Sequence, residues 1–286
     1  MGDMIRDEVV GVAKAVGFRH LDSVAELARR TVLLRPNAGG SGSPAGSRLG
    51  GLPALPRDVA WPSREGKSLA FVAQINLEEL PSLADEGFPV SGLLSFFYDA
   101  EQSTWGFDPG DAGSFAVLFA PDTLAVDLRE TWPRDVPEHA RYRRCDLVPE
   151  TIATLPPWES LLIDRLGLAR EQLDLYMDVL ERLSSERAWG VRTLLGGYPD
   201  QIQGDMMLEC ELVSAGLYCG DATAYQDPRL PLFKEQAVSW RQLLQIQSCD
   251  EAGMTWGDVG CLYYWIRDSD LRARRFDAAW MVLQCG

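Results

Sequence analysis

Apolar and polar positions alternate along this chain in two periods, and the change from one to the other marks its elements. Ile5, Val9, Val12 and Val16 recur at i, i+4, i+7 and i+11, one face of an amphipathic helix that ends near Gly17. Asp22 or Ser23 is placed to cap a second helix with Val24, Leu27 and Ala28 turned inward. After Val32, Leu33 and Leu34, the run from Asn37 to Ser47 is too rich in Gly and Ser for regular structure. It reads as a mobile loop, either a plain connector or a lid over a site. The period then shortens. Leu69 to Ile75, Leu93 to Tyr98 and Phe115 to Phe119 are short β-branched or aromatic runs bounded by Gly, Pro, Asp or Ser, as strands of a mostly antiparallel sheet are. From Trp158 to about Leu183 the helical period returns, with Leu173, Tyr176, Val179, Leu180 and Leu183 on one stripe and acids between.

Helix precedes strand twice, and four landmarks recur in the same order. Leu49-Gly50-Gly51-Leu52-Pro53 answers to Leu195-Gly196-Gly197-Tyr198-Pro199, and Phe71 to Asn76 answers to Gln242 to Gln247. Gly92 to Phe97 answers to Gly260 to Trp265, and Phe115 to Phe119 to Ala279 to Leu283. Such recurrence predicts a duplication. The expected fold is α+β, with duplicated units of helix plus antiparallel strands packed as one compact body. Its expected parts are N-terminal helices over 1–36, a Gly/Ser-rich loop over 37–47, a β-rich repeat over 48–148, a helical segment over 149–188 and a second β-rich repeat over 189–286.

Composition narrows the classes of function. The 286 residues are 46% hydrophobic and 24% charged, which suits a globular chain. Twenty-seven Lys and Arg against 42 Asp and Glu leave a net charge of −15, which repels nucleic acid and anionic lipid and favours a basic partner. The start of the chain lacks the apolar core of a signal peptide, and no apolar run approaches bilayer length, so the expected location is cytoplasmic. Six cysteines without C-x-x-C spacing read as buried small hydrophobes, with no structural zinc, disulfide or required organic cofactor expected.

The segments Ser47 to Pro56, Trp61-Pro62, Ala73 to Asn76 and Gly92 to Tyr98 resemble the first half of the YwqG-like family. Leu194 to Pro199, Leu243 to Ile246, Met254 to Asp258 and Gly260 resemble its second half. The resemblance spans roughly residues 20 to 286 and implies an α+β fold of bacterial, cytosolic type. It brings no activity and no catalytic residues. One departure is Gln247-Ser248-Cys249-Asp250, where relatives read closer to Asp-Ser-Asp-Asp; the missing acid weakens a metal reading of that loop.

Candidate chemistry is sparse. His20 and His139 stand apart from any nucleophile and read as helix-end and loop residues. Loop acids Asp99, Glu101, Asp108, Asp111, Asp250, Glu251, Asp258 and Asp268 suit turn formation, a Ca²⁺ or Mg²⁺ site, or acid/base work. Gln74 and Gln245 interrupt apolar strands at corresponding positions, where a buried amide must find partners, in the backbone or in a ligand. Trp61, Trp105 and Trp256 border loops and either cover a core edge or act as binding anchors. The basic runs Arg141 to Arg144 and Arg272 to Arg275 read as solvated faces paired with nearby acids.

A small-molecule site, if the chain has one, is expected between the repeats, near Arg48, Gln74, Trp105, Gln245, Trp256 and Asp258. The functional expectation is a protein-binding module that docks to a basic partner such as a toxin or regulatory protein. The alternative is an enzyme that uses carboxylates in a cleft between the repeats.

Overall fold

Ten of the chain's apolar runs hydrogen-bond into one antiparallel sheet. They are β1 (Arg29–Asn37), β2 (Arg48–Leu49), β3 (Ala70–Asn76), β4 (Leu93–Tyr98), β5 (Phe115–Ala120), β6 (Cys145–Thr154), β7 (Thr193–Leu195), β8 (Trp240–Gln247), β9 (Cys261–Arg267) and β10 (Trp280–Gln284). A computed structural model describes residues 2–37, 42–185 and 192–286. The spatial order is β10-β9-β8-β7-β1-β6-β2-β3-β4-β5. Each half therefore contributes an outer ladder of four strands in chain order, β2 to β5 or β7 to β10. At the centre, β1 lies against β7 and β6 against β2. Between them β1 and β6 pair from Arg29↔Thr154 to Asn37↔Asp146.

The ends of the sheet curl toward each other. Tyr264 on β9 donates its hydroxyl to the Phe97 carbonyl on β4 at 3.1 Å, and the Phe96 ring meets it edge-on at 5.0 Å. The segment after β4 runs along the free edge of β10, where Leu283 N donates to the Trp105 carbonyl at 3.0 Å. That contact covers an edge that would otherwise present unpaired backbone. The aromatic and aliphatic side chains enclosed by the curl form the largest core.

Seven helices are described: α1 (Gly2–Val16), α2 (Leu21–Leu27), α3 (Leu161–Asp164), α4 (Arg170–Ser185), α5 (Met207–Ser214), α6 (Leu230–Ala237) and α7 (Asp268–Arg272). Helices α1, α2 and α4 build a separate core with Ala153 at the end of β6 and Leu155 beyond it, through Val9, Ala13, Val24, Tyr176 and Val179. This is the face that the heptad-like spacing of Ile5, Val9 and Val16 foretells.

Three expectations change. Helices do not continue to residue 36, because the run Thr31 to Leu34 is buried on both faces of the sheet centre as β1. Short apolar runs carry no period that separates a buried strand from a buried helix turn. Helix α2 starts at Leu21 after His20, so Asp22 sits in the first turn, and no side chain caps the helix. The helical stripe after Trp158 breaks at Gly167, whose φ of +58° ends the first turn before α4 begins. Of the Gly/Ser run, residues 38–41 lie outside the described residues, as do 186–188 of the expected helical segment. Residues 44–46 of that run are held, not loose: the Pro44 and Gly46 carbonyls each accept from Arg48 and Gln74. All six cysteines are free and buried, in keeping with their reading as small hydrophobes.

Candidate functional site

The two Gly-Gly turns share a set of hydrogen bonds. Gly50 N donates to the Val72 carbonyl at 2.8 Å, and Gly196 N to the Leu243 carbonyl at 3.1 Å. Val72 and Leu243 each occupy the irregular step of their ladder, between Phe71 and Ala73 and between Gln242 and Leu244. Two residues further on, each ladder points a buried glutamine at its turn. Gln74 Oε1 accepts from Ala54 N at 3.0 Å, and its Nε2 donates to the Gly46 carbonyl at 2.9 Å. Gln245 Oε1 accepts from Asp200 N at 2.8 Å, and its Nε2 donates to the Arg192 carbonyl at 3.3 Å. Each amide thus bridges the chain entering its turn to the chain leaving it.

The halves then diverge. In the first, Arg48 fills the space beside Gln74, fully buried, and donates to the carbonyls of Pro44, Gly46 and Leu52 at 2.7, 3.2 and 2.5 Å. Burial, and next the charge of Arg144, lowers its guanidinium to about 10. In the second, the chain between β6 and β7 carries α3 and α4, and a cavity of about 350 Å³ opens beside the turn. Its wall includes Trp158, Glu159, Glu181, Arg192, Tyr198 and Asp200. Gln245 Nε2 reaches the Asp200 carboxylate at 3.2 Å, and Arg192 Nε pairs with the same oxygen at 3.1 Å. Trp158 is 44% exposed and follows Pro156 and Pro157, whose rings fix φ; the Pro156 carbonyl accepts from the core Tyr176 hydroxyl at 2.7 Å. Glu159 accepts from Gln201 at 3.0 Å, and Tyr198 is buried, which raises its phenol.

Arg48 and Gln74 share their carbonyl partners, and Gln245 supports the cavity wall in the other half. Trp256 is in the core, edge-on to Tyr98 and Tyr142 at 5.9 and 5.4 Å, and so is no exposed binding anchor. Trp105 is exposed along β10 and stacks on Phe107, while Asp258 is exposed in a turn whose carbonyl accepts from Gly286 N. None of the six lines the 350 Å³ cavity. Trp158, Arg192 and Asp200 escaped the sequence reading because they belong to separate elements; the one local signal was a Trp beside two prolines.

The loop acids act largely as turn formers. Asp108 Oδ1 accepts from Gly110 N at 2.7 Å, and Asp111 Oδ2 from Gly106 N at 2.8 Å. Partial burial pushes Asp99 up, but hydrogen bonds from Ser103, Glu101 N and Thr104 outweigh it and hold the carboxyl below its ordinary value. Among the described residues, no group of three or more His, Cys, Asp or Glu is arranged to hold a metal ion. Arg141 and Arg143 give their guanidiniums to backbone carbonyls instead of acids, whereas Arg272 pairs with Asp268 as expected. His139 Nε2 lies 3.2 Å from the Ala100 carbonyl, a loop role. No described helix is long and apolar enough to cross a membrane.

A search of curated proteins finds no match to the chain. A family model described as a domain of unknown function, DUF1963, matches residues 47–285, from the start of the first Gly-Gly turn through the last strand. Since that span takes in both turns, both glutamines and the cavity wall, the chain belongs to the DUF1963 family.

Proposed function

We propose that the protein is a docking module that receives a basic side chain of a protein partner in the cavity beneath Trp158. The observation that carries this reading is the charge of the cavity wall: Glu159, Glu181 and Asp200 face a single Arg192. Glu181 also ends an exposed stripe of Glu171, Asp174, Asp178 and Glu181 along α4, at spacings of three and four residues that keep them on one side. An arginine or lysine entering beside Trp158 meets an aromatic face and carboxylates together, a combination worth about 1–2 kcal/mol for the cation–π contact when desolvated. The net charge of −15 steers such a partner in from solution. A Lys- and Arg-rich toxin or regulatory protein has the required chemistry.

The same reading takes the two halves as copies of one unit whose central strands were exchanged. It is supported by the matching turn, bulge and glutamine bonds. The YwqG-like motifs and the cytoplasmic location belong to this proposal, since a cytoplasmic module meets basic regulatory surfaces directly. A calorimetric titration with an arginine-rich peptide tests the docking. Binding should weaken steeply between 50 and 200 mM salt, as expected for steering by charge on the order of the Debye length, and Glu181→Lys should weaken it about tenfold. No heat at low salt, or the same affinity in Glu181→Lys and Trp158→Ala, would discard the proposal.

A further inference from the structure

A second cavity, of about 210 Å³, has the opposite charge. Arg6 from α1, Arg29 and Arg30 from the start of β1, Arg241 from β8 and Arg272 from α7 line it, together with Asp85 and Glu86. Four segments distant in sequence thus place five guanidiniums around one small space in a chain of net charge −15.

Three carboxylates answer them, and each is already engaged. Asp85 accepts from Arg30 at 3.0 Å, Glu86 from Arg241 at 2.9 Å, and Asp268, behind the wall, from Arg241 at 2.9 Å and from Arg272 at 2.7 Å. Arg29 comes no closer to Glu86 than 3.7 Å, and Arg6 has no ion pair among the described residues. The wall therefore holds two positive charges in excess. Arg30 is held firmly in the wall: its side chain is only 6% exposed, and its Nη1 donates to Asp85 and to the Ser82 carbonyl. Like charges crowded at low dielectric repel one another. An anion in the cavity relieves that repulsion.

We propose that this cavity binds a phosphate group, as inorganic phosphate or as the ester of a small molecule. Two excess charges match a group that carries about −1.5 to −2 near neutral pH. Planar guanidiniums offer paired N–H donors that fit phosphate oxygens two at a time. The volume is below the roughly 300 Å³ at which drug-sized ligands are accommodated, which sets the class at small phosphates. The walls come from α1, the sheet centre and α7, so occupancy would tie the helical layer to the sheet.

Calorimetric titration of the full chain with inorganic phosphate and, separately, with glycerol phosphate tests the site, with sodium chloride at matched ionic strength as the blank. We expect saturable one-to-one binding. It should weaken tenfold or more in Arg272→Gln and be lost in Arg6→Gln/Arg272→Gln, both exposed positions whose substitution should leave the melting temperature of the free protein unchanged. Arg57→Gln, which removes an exposed guanidinium paired with Asp127 on another face, should bind as the parent does. Equal affinity for the two anions marks the phosphate group alone as the ligand; tighter binding of the ester marks an organic phosphate. Heat no greater than that of chloride, unchanged affinity in the double variant, or equal weakening in Arg57→Gln would overturn the proposal.

Discussion

The two Gly-Gly turns share a frame and differ in what fills it. At the first, the incoming chain is short, and the buried Arg48 closes the space by gripping three carbonyls. At the second, two helices intervene, the position that pairs with Gln245 across the ladder is Leu194, and the space beside the turn stays open as the Trp158 cavity. A conserved set of backbone bonds can thus hold either a sealed or an open site. The contents are decided by one side chain and by the length of chain inserted.

The glycines offer the strongest test of this comparison, because the halves depend on different ones. A Cβ on Gly50 would overlap the Arg143 carbonyl, whereas on Gly196 it would meet only the Phe88 ring at 3.2 Å. A Cβ on Gly197 would strike the hydroxyls of Thr31 and Thr154, which hydrogen-bond to each other at 2.7 Å across the β1–β6 centre. Gly50→Ala and Gly197→Ala should each cost about 4 kcal/mol or more in denaturant unfolding, against about 1–2 kcal/mol of backbone strain for Gly196→Ala. Similar losses at Gly50 and Gly196 would break the comparison.

The glutamines should behave alike where the glycines do not. Gln74→Leu and Gln245→Leu each strand a buried N–H and a carbonyl, for a loss of about 3 kcal/mol. A difference of more than about 1 kcal/mol between them, measured by chemical denaturation, would mean that the shared bonds are unequal in weight.

The second half also carries a carboxyl whose contribution to stability is lost as pH rises. Glu209 on α5, inserted between β7 and β8, is buried with Oε1 unpartnered; burial, then the nearby Asp205, raises its carboxyl to about 8. The folded chain therefore holds this proton at pH values where the unfolded chain has released it. That contribution is full below the ordinary Glu value and is lost as pH rises from there toward about 8. The parent should lose on the order of 2 kcal/mol between pH 5 and pH 8 that Glu209→Gln does not. Parallel stability profiles for the two proteins would refute it.

The smallest effect on folding is expected at the cavity itself. Trp158→Ala should change stability by less than about 0.5 kcal/mol, since the side chain is 44% exposed. It should still weaken binding of an arginine-rich peptide about fivefold, a separation of docking from folding that calorimetry and thermal melting can read together.

Much of this was legible in the sequence, and the reason is local. The runs that became β3, β4 and β5 declare themselves because they are short, β-branched or aromatic, and bounded by Gly, Pro, Asp or Ser, and the face of α1 follows from its spacing alone. The matched positions of Gln74 and Gln245 were visible because a polar residue inside an apolar run stands out wherever the strand lies. What those amides bond was not visible. Their partners, Ala54, Gly46, Asp200 and Arg192, are set by where each turn returns to its ladder. Trp256 reads as a loop residue from its Gly and Asp neighbours, yet the curl of the sheet brings Tyr98 and Tyr142 over it. Sequence period and turn chemistry determined the elements, the acidic charge and the recurrence of a motif. Only tertiary structure decided that β1 pairs with β7 and β6 with β2, that Arg48 seals one turn while Trp158 borders an opening at the other, and that five arginines meet. Those outcomes depend on contacts between residues far apart in the chain, and no local preference encodes them.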